Sequence, residues 1–148
     1  MLDIKVKKFN ELSIQELYSL LKLRSEIFVV EQDCVYQDLD GKDAKALHVI
    51  GINNNNEVVA YTRIFKPGDY FDIASIGRVA VHKDYRKYGY GKDIMQASIN
   101  AVNEKFKEQQ IKISAQTYLD KFYTELGFKA IGEGYLEDGI PHIQMVKK

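Results

Sequence analysis

The chain has 148 residues, 45% hydrophobic and 28% charged, enough to bury one self-sufficient core and too ordinary in composition for a disordered or fibrous protein. Lys and Arg number 21 and so do Asp and Glu; the formal net charge of zero argues against general attraction to nucleic acid or to a membrane surface. A single cysteine, Cys34, excludes an internal disulfide, and no signal-like or membrane-length apolar run stands out, so the expected location is the cytoplasm.

Residues 3–9 alternate weakly and predict a first strand. Ser13-Ile14-Gln15-Glu16 forms a capping box, after which Leu17, Leu20, Leu21, Ile27 and Phe28 follow a helical stripe. The acidic stretch 33–46 reads as loop or broken helix. Residues 48–52 and 58–65 predict a hairpin around the asparagine run 53–56, and Pro67-Gly68-Asp69 marks another turn. A strand over 75–82 comes next, then a glycine-bearing loop, then a helix from near Lys92 to about Gln109 with Ile94, Met95, Ile99, Val102 and Phe106 on one face. Residues 111–116 read as a strand, and 119–126 as a short helix stopped by Gly127 in a left-handed cap. Residues 128–136 and 140–146 complete the chain as a hairpin about Asp138-Gly139. The order β-α-β-β-β-α-β-α-β-β predicts one α/β domain over residues 1–148, built on a mixed, mostly antiparallel sheet flanked by helices.

The most informative segment is Arg86-Lys87-Tyr88-Gly89-Tyr90-Gly91, between the β-branched run Ile76-Gly77-Arg78-Val79-Ala80-Val81 and the long helix. A helix start presents unpaired N–H groups and a partial positive charge, which favour phosphate. Glycines 89 and 91 permit unusual dihedrals and close approach, while Arg86, Lys87 and Lys92 add full charges. Charge-assisted hydrogen bonds contribute about 1.5–3 kcal/mol each, so several converging donors grip a diphosphate better than scattered lysines. The spacing is neither a dinucleotide fingerprint nor a Walker loop, since a third glycine and the Lys-Ser/Thr pair are missing.

Arg-x-x-Gly-x-Gly after a Val-Ala-Val strand resembles the acetyl-CoA loop of the GNAT N-acetyltransferases. Phe122-Tyr123-Thr124-Glu125-Leu126-Gly127-Phe128 is similar to that family's closing signature, with Gln116 seven residues ahead of Tyr123, where the family usually carries Asn. Phe28-Val29-Val30-Glu31-Gln32, Tyr36-Gln37-Asp38-Leu39-Asp40-Gly41 and Glu137-Asp138-Gly139-Ile140-Pro141-His142 resemble one branch, the ElaA-type proteins. The resemblance implies central strands that splay to admit a pantetheine arm. It implies cofactor contacts from Val79, Ala80 and Val81, from 86–92 including Tyr88 and Tyr90, and from Gln116. It also implies direct acetyl transfer from acetyl-CoA to an amine, without a metal.

Such transfer needs a polarised thioester, a neutral amine and a stabilised leaving thiolate. Tyr123 is the candidate acid toward sulfur, a phenol being protonated at neutral pH. An amine of pKa about 10.4 is neutral in roughly one molecule in 2,500 at pH 7, so a base is required. Glu31, His142, His48, Asp38 and Asp40 are the candidates, with Glu31 and His142 foremost as direct participants. The acidic residues in 31–43 suit a small, cationic acceptor, with Asp38, Asp40 and His48 as its contacts, although Asp-rich loops are equally often solvated turns. Cys34 has no activating neighbour for a covalent route, Asp38-Leu39-Asp40-Gly41 lacks the flanking ligands of a calcium loop, and the histidines lack zinc spacing. The expected partner is a small-molecule or peptide amine, neither nucleic acid nor membrane, and a homodimer is left open. A second reading is an acyl-CoA-binding sensor without turnover.

Overall fold

A computed structural model describes residues 2–148. Seven strands, β1 (Asp3–Lys8), β2 (Leu47–Ile52), β3 (Val58–Phe65), β4 (Ala74–Val81), β5 (Ile111–Gln116), β6 (Lys129–Glu137) and β7 (Ile140–Lys147), form one sheet in the order β1-β2-β3-β4-β5-β7-β6. Every neighbouring pair is antiparallel except β4 and β5. Strands β2 and β3 are buried nearly throughout because helices cover both faces.

Three α-helices, with short 3-10 turns between elements, complete the described domain: α1 (Ile14–Arg24), α2 (Tyr90–Lys105) and α3 (Asp120–Glu125). The predicted capping box starts α1, with Glu16 N–H donating to Ser13 Oγ and Ser13 N–H to the Glu16 carboxylate. Leu20 and Leu23 of α1 pack with Ile50, Ile52, Tyr61 and Ala80 on one face of the sheet. Ile94, Met95, Ile99 and Val102 of α2 pack with Val49, Ala60, Ile64 and Ile113 on the other. Alternate residues of β2 and β3 therefore feed two separate cores, as the period of a strand requires. The long helix begins two residues earlier than the sequence suggests and ends at Lys105, where Lys107 takes a positive φ of 58°. No described helix is long and apolar enough to cross a membrane.

Two irregularities interrupt these regular elements. The first is a π-helical segment, Ser25–Glu31, that extends α1 and carries Glu31 and Gln32 to the ends of β4 and β5 in the middle of the sheet. The second is a bulge in β4. Tyr61 faces Ala80 and Arg63 faces Gly77, so Thr62 alone opposes both Arg78 and Val79, and Arg78 has a φ of 50°. A bulge leaves ladder groups unpaired and bends its strand.

Candidate active site

Strands β4 and β5 pair only at Ala74–Ile111 and Ser75–Lys112, after which they part. The gap holds a cleft of about 610 Å³, lined on one side by Gly77, Val79 and Val81 and on the other by Ile113, Gln116 and Tyr123. The segment after α1 crosses it with contacts to three different elements. Glu31 meets Arg86 in a two-pronged ion pair (2.7 and 2.9 Å), Gln116 donates to the Gln32 side chain (3.3 Å), and Cys34 Sγ donates to the Asp138 carbonyl (3.3 Å).

The glycine loop lies at one end of this cleft. Gly89 precedes α2 with a φ of 75°, a left-handed conformation that costs a residue with Cβ roughly 1–2 kcal/mol. First-turn amides of any helix have no intrahelical acceptor, and no side chain caps α2 to take their place. Gly91 has ordinary clearance instead: a Cβ would lie 3.6 Å from Phe122. Arg86, Gly89, Gly91 and Lys92 line the cleft, and Arg86 Nε donates to the Val81 carbonyl (3.0 Å), which fixes its guanidinium beside the strand's end. Lys87, Tyr88 and Tyr90 do not line it. Tyr88 and Tyr90 pack against each other and against Tyr85 outside the cleft.

Of the candidate chemical groups, Tyr123, Glu31 and His142 all line the same cavity. Tyr123 is 5% exposed, with its ring edge-on to Phe122 and Phe128. Burial pushes its phenol well above the usual tyrosine range, so the hydroxyl keeps its proton, and no hydrogen bond engages that hydroxyl among the described residues. His142 on β7 faces Gln116 of β5 and Tyr135 of β6, whose ring stacks on the imidazole. Its Nδ1 lies 2.7 Å from the Ile140 carbonyl, a pure acceptor. Neutral His142 therefore carries its proton on Nδ1 and presents the lone pair of Nε2. Glu31, by contrast, is held by Arg86.

The acidic segment behaves differently from its expected role. Arg24, fully buried, donates to Asp38 Oδ2 and to Asp43 Oδ1 at 2.8 Å each; Arg63 binds both Asp40 carboxylate oxygens; Arg78 Nε lies 2.7 Å from Asp38 Oδ1. Burial opposes the charge on Asp40, but the Arg63 hydrogen bond and the Arg63 and Arg78 charges prevail and hold its carboxyl well below the usual range. Three arginines thus match three aspartates in a network that anchors the loop. Asp38 and Asp40, expected as acceptor contacts, are taken up in this network and do not line the cleft. Neither does His48, which is fully buried, with Nδ1 2.6 Å from the Tyr61 hydroxyl and Nε2 2.9 Å from the Asp43 carbonyl. Ala80 packs into the α1 core, so its side chain takes no part in the cleft. In their place the structure brings Ser114, Glu137, Tyr36 and Arg78 to the cavity wall. Alternation along β5 and β7 could have flagged Ser114 with His142. Only the fold shows Arg78, which the bulge reorients.

The sequence profile of the acetyltransferase (GNAT) domain matches residues 13–148. The chain belongs to the GNAT acetyltransferase family. Within it the ElaA-type resemblance holds: Escherichia coli ElaA is 40% identical over 141 residues, covering 94% of this chain and 92% of ElaA. The ElaA crystal structure matches with a TM-score of 0.92 at 38% identity over the full length of both chains. An acyl-CoA N-acyltransferase from Pseudomonas aeruginosa matches equally well, at TM-score 0.92 and 37% identity over all of both chains. The parted strands and the glycine loop are thus features of a GNAT fold.

Proposed function

We propose that the chain transfers acetyl directly from acetyl-CoA to a primary amine of a small, cationic acceptor. The observation that carries this reading is the cleft between β4 and β5. It collects the glycine loop at the start of α2, the bulged β4 and the buried, protonated Tyr123. First-turn amides of α2, with Arg86 and Lys92, hold the diphosphate, and Lys87 adds charge at the rim. Backbone amides of Val79 and Val81, on the strand whose ladder the bulge interrupts, take the pantetheine arm and polarise the thioester carbonyl, with Gln116 opposite. Tyr123 supplies a proton to the departing sulfur. His142 Nε2 receives the proton that the acceptor must lose, and Glu31, bound to Arg86, orders the loop rather than acting as the base. Glu137 and Asp138 line the acceptor end and keep an acidic wall there, although Asp38 and Asp40 do not. A reaction of this kind suits the cytoplasm.

The test is calorimetric titration with acetyl-CoA, followed by CoA release with a panel of polyamines, amino acids and peptide N-termini. Saturable binding with turnover favouring cationic amines is expected. Tight binding with no transfer to any amine would favour the sensor reading, and a preference for acidic amines would overturn the acceptor class.

A further inference from the structure

Resting on that reading, we infer that Glu137 is the outlet through which the acceptor's first proton leaves the site, taking it from His142 Nε2. His142 has 8% of its side chain exposed and lies between Gln116 and Tyr135, so it is a poor place to discharge a proton directly into solvent. Glu137 on β6 has its Oε2 3.5 Å from His142 Nε2 and is 46% exposed. Its other oxygen, Oε1, is 3.4 Å from Ser114 Oγ, which in turn hydrogen-bonds the Tyr135 hydroxyl. A ring whose Nδ1 proton is fixed on a carbonyl, a carboxylate facing Nε2, and a hydroxyl pair steering that carboxylate form a directed path from cavity to surface. The irregular pairing of β6 with β7 makes it. Ile131 faces Gln144 and Tyr135 faces His142, so three residues of β6 oppose the single Ile143, and Tyr135 comes into stacking register with the imidazole.

The proton balance closes. The ammonium acceptor gives one proton to Nε2, which passes it to Glu137 and then to water. The neutral nitrogen attacks the thioester carbonyl, the C–S bond breaks, and the sulfur takes a proton from Tyr123. The proton left on the acylated nitrogen restores the phenol, and overall one proton is released with CoA and the amide.

This role predicts a dependence on the acceptor that a packing role lacks. In Glu137→Gln, kcat should fall about 10–100-fold with an amine of pKa about 10, the KM for acetyl-CoA should change less than about twofold, and the loss should shrink to less than about threefold with an acceptor already neutral at the assay pH. Glu137→Asp should restore part of the rate. In nitrogen-resolved NMR of the wild type, His142 should show its neutral proton on Nδ1, a readout independent of turnover. A uniform loss across acceptors in an active enzyme, or a proton on Nε2, would overturn the inference while leaving the acetyltransferase reading standing. A wild type inert with every amine would overturn both.

Discussion

Tyr123 illustrates how one side chain meets two demands. Its ring fills the core against Phe128 and Phe122, and the same burial keeps its hydroxyl protonated at any pH the enzyme meets. Tyr123→Phe keeps the ring and removes the proton. Its kcat should fall about 100-fold or more while acetyl-CoA affinity stays within about twofold, measured by CoA release and by calorimetry. Residues such as Tyr123 and Arg86 were legible in the sequence because their neighbours in the chain, Leu126-Gly127-Phe128 and Gly89, announce the local geometry. The acidic residues were not. Asp38 finds Arg24 14 residues away and Arg78 40 residues away, and Asp40 finds Arg63 23 residues away. Nothing local distinguishes an aspartate facing solvent from one facing a distant guanidinium.

At the level of the elements, the strand–loop–helix unit from β4 to α2 was readable in order and nearly in bounds, because glycine, β-branched and helix-stripe signals coincide there. Its left-handed Gly89 sets the angle at which the helix start meets the strand's end. Gly89→Ala, with open space around the added methyl, should therefore lose about 1–2 kcal/mol by backbone strain alone, seen as a lower denaturation midpoint. It should also weaken acetyl-CoA binding, because the amides are re-aimed. The bulge of β4 and the π-helical segment after α1 left no comparable trace. The bulge adds one residue to a strand and the π-helical segment rewinds seven residues of a helix, and a hydrophobic pattern tolerates either outcome.

Across the whole molecule, the Arg24–Arg63–Arg78 network joins α1, β3 and β4 to the loop that crosses the cleft. Arg24→Ala removes the fully buried partner that Asp38 and Asp43 share, leaving them only Arg78 and Arg63, and should lose about 3 kcal/mol in urea denaturation. Asp40 and Asp43 titrate lower in the folded than in the unfolded chain, so their stabilisation is complete above pH about 4 and is lost as pH falls below it. His48 has its pKa lowered, chiefly by burial, so its share is present above pH about 6.5 and declines as acid is added below that. Asp40→Asn should keep the His48 decline that sets in below pH about 6.5 yet show a shallower further decline than wild type below pH about 4, in denaturation midpoints taken across the acid range. The two register pairs that join β4 to β5 have a wider consequence. Beyond them the sheet carries two facing edges inside the molecule, each with main-chain groups that need partners. At a sheet's outer rim such edges invite association with other chains, but here they face each other across the cleft. On the reading proposed above, the donor's pantetheine arm, a slim chain of amides and methylenes, would be the missing thread that sews the two halves of the sheet together while it is bound.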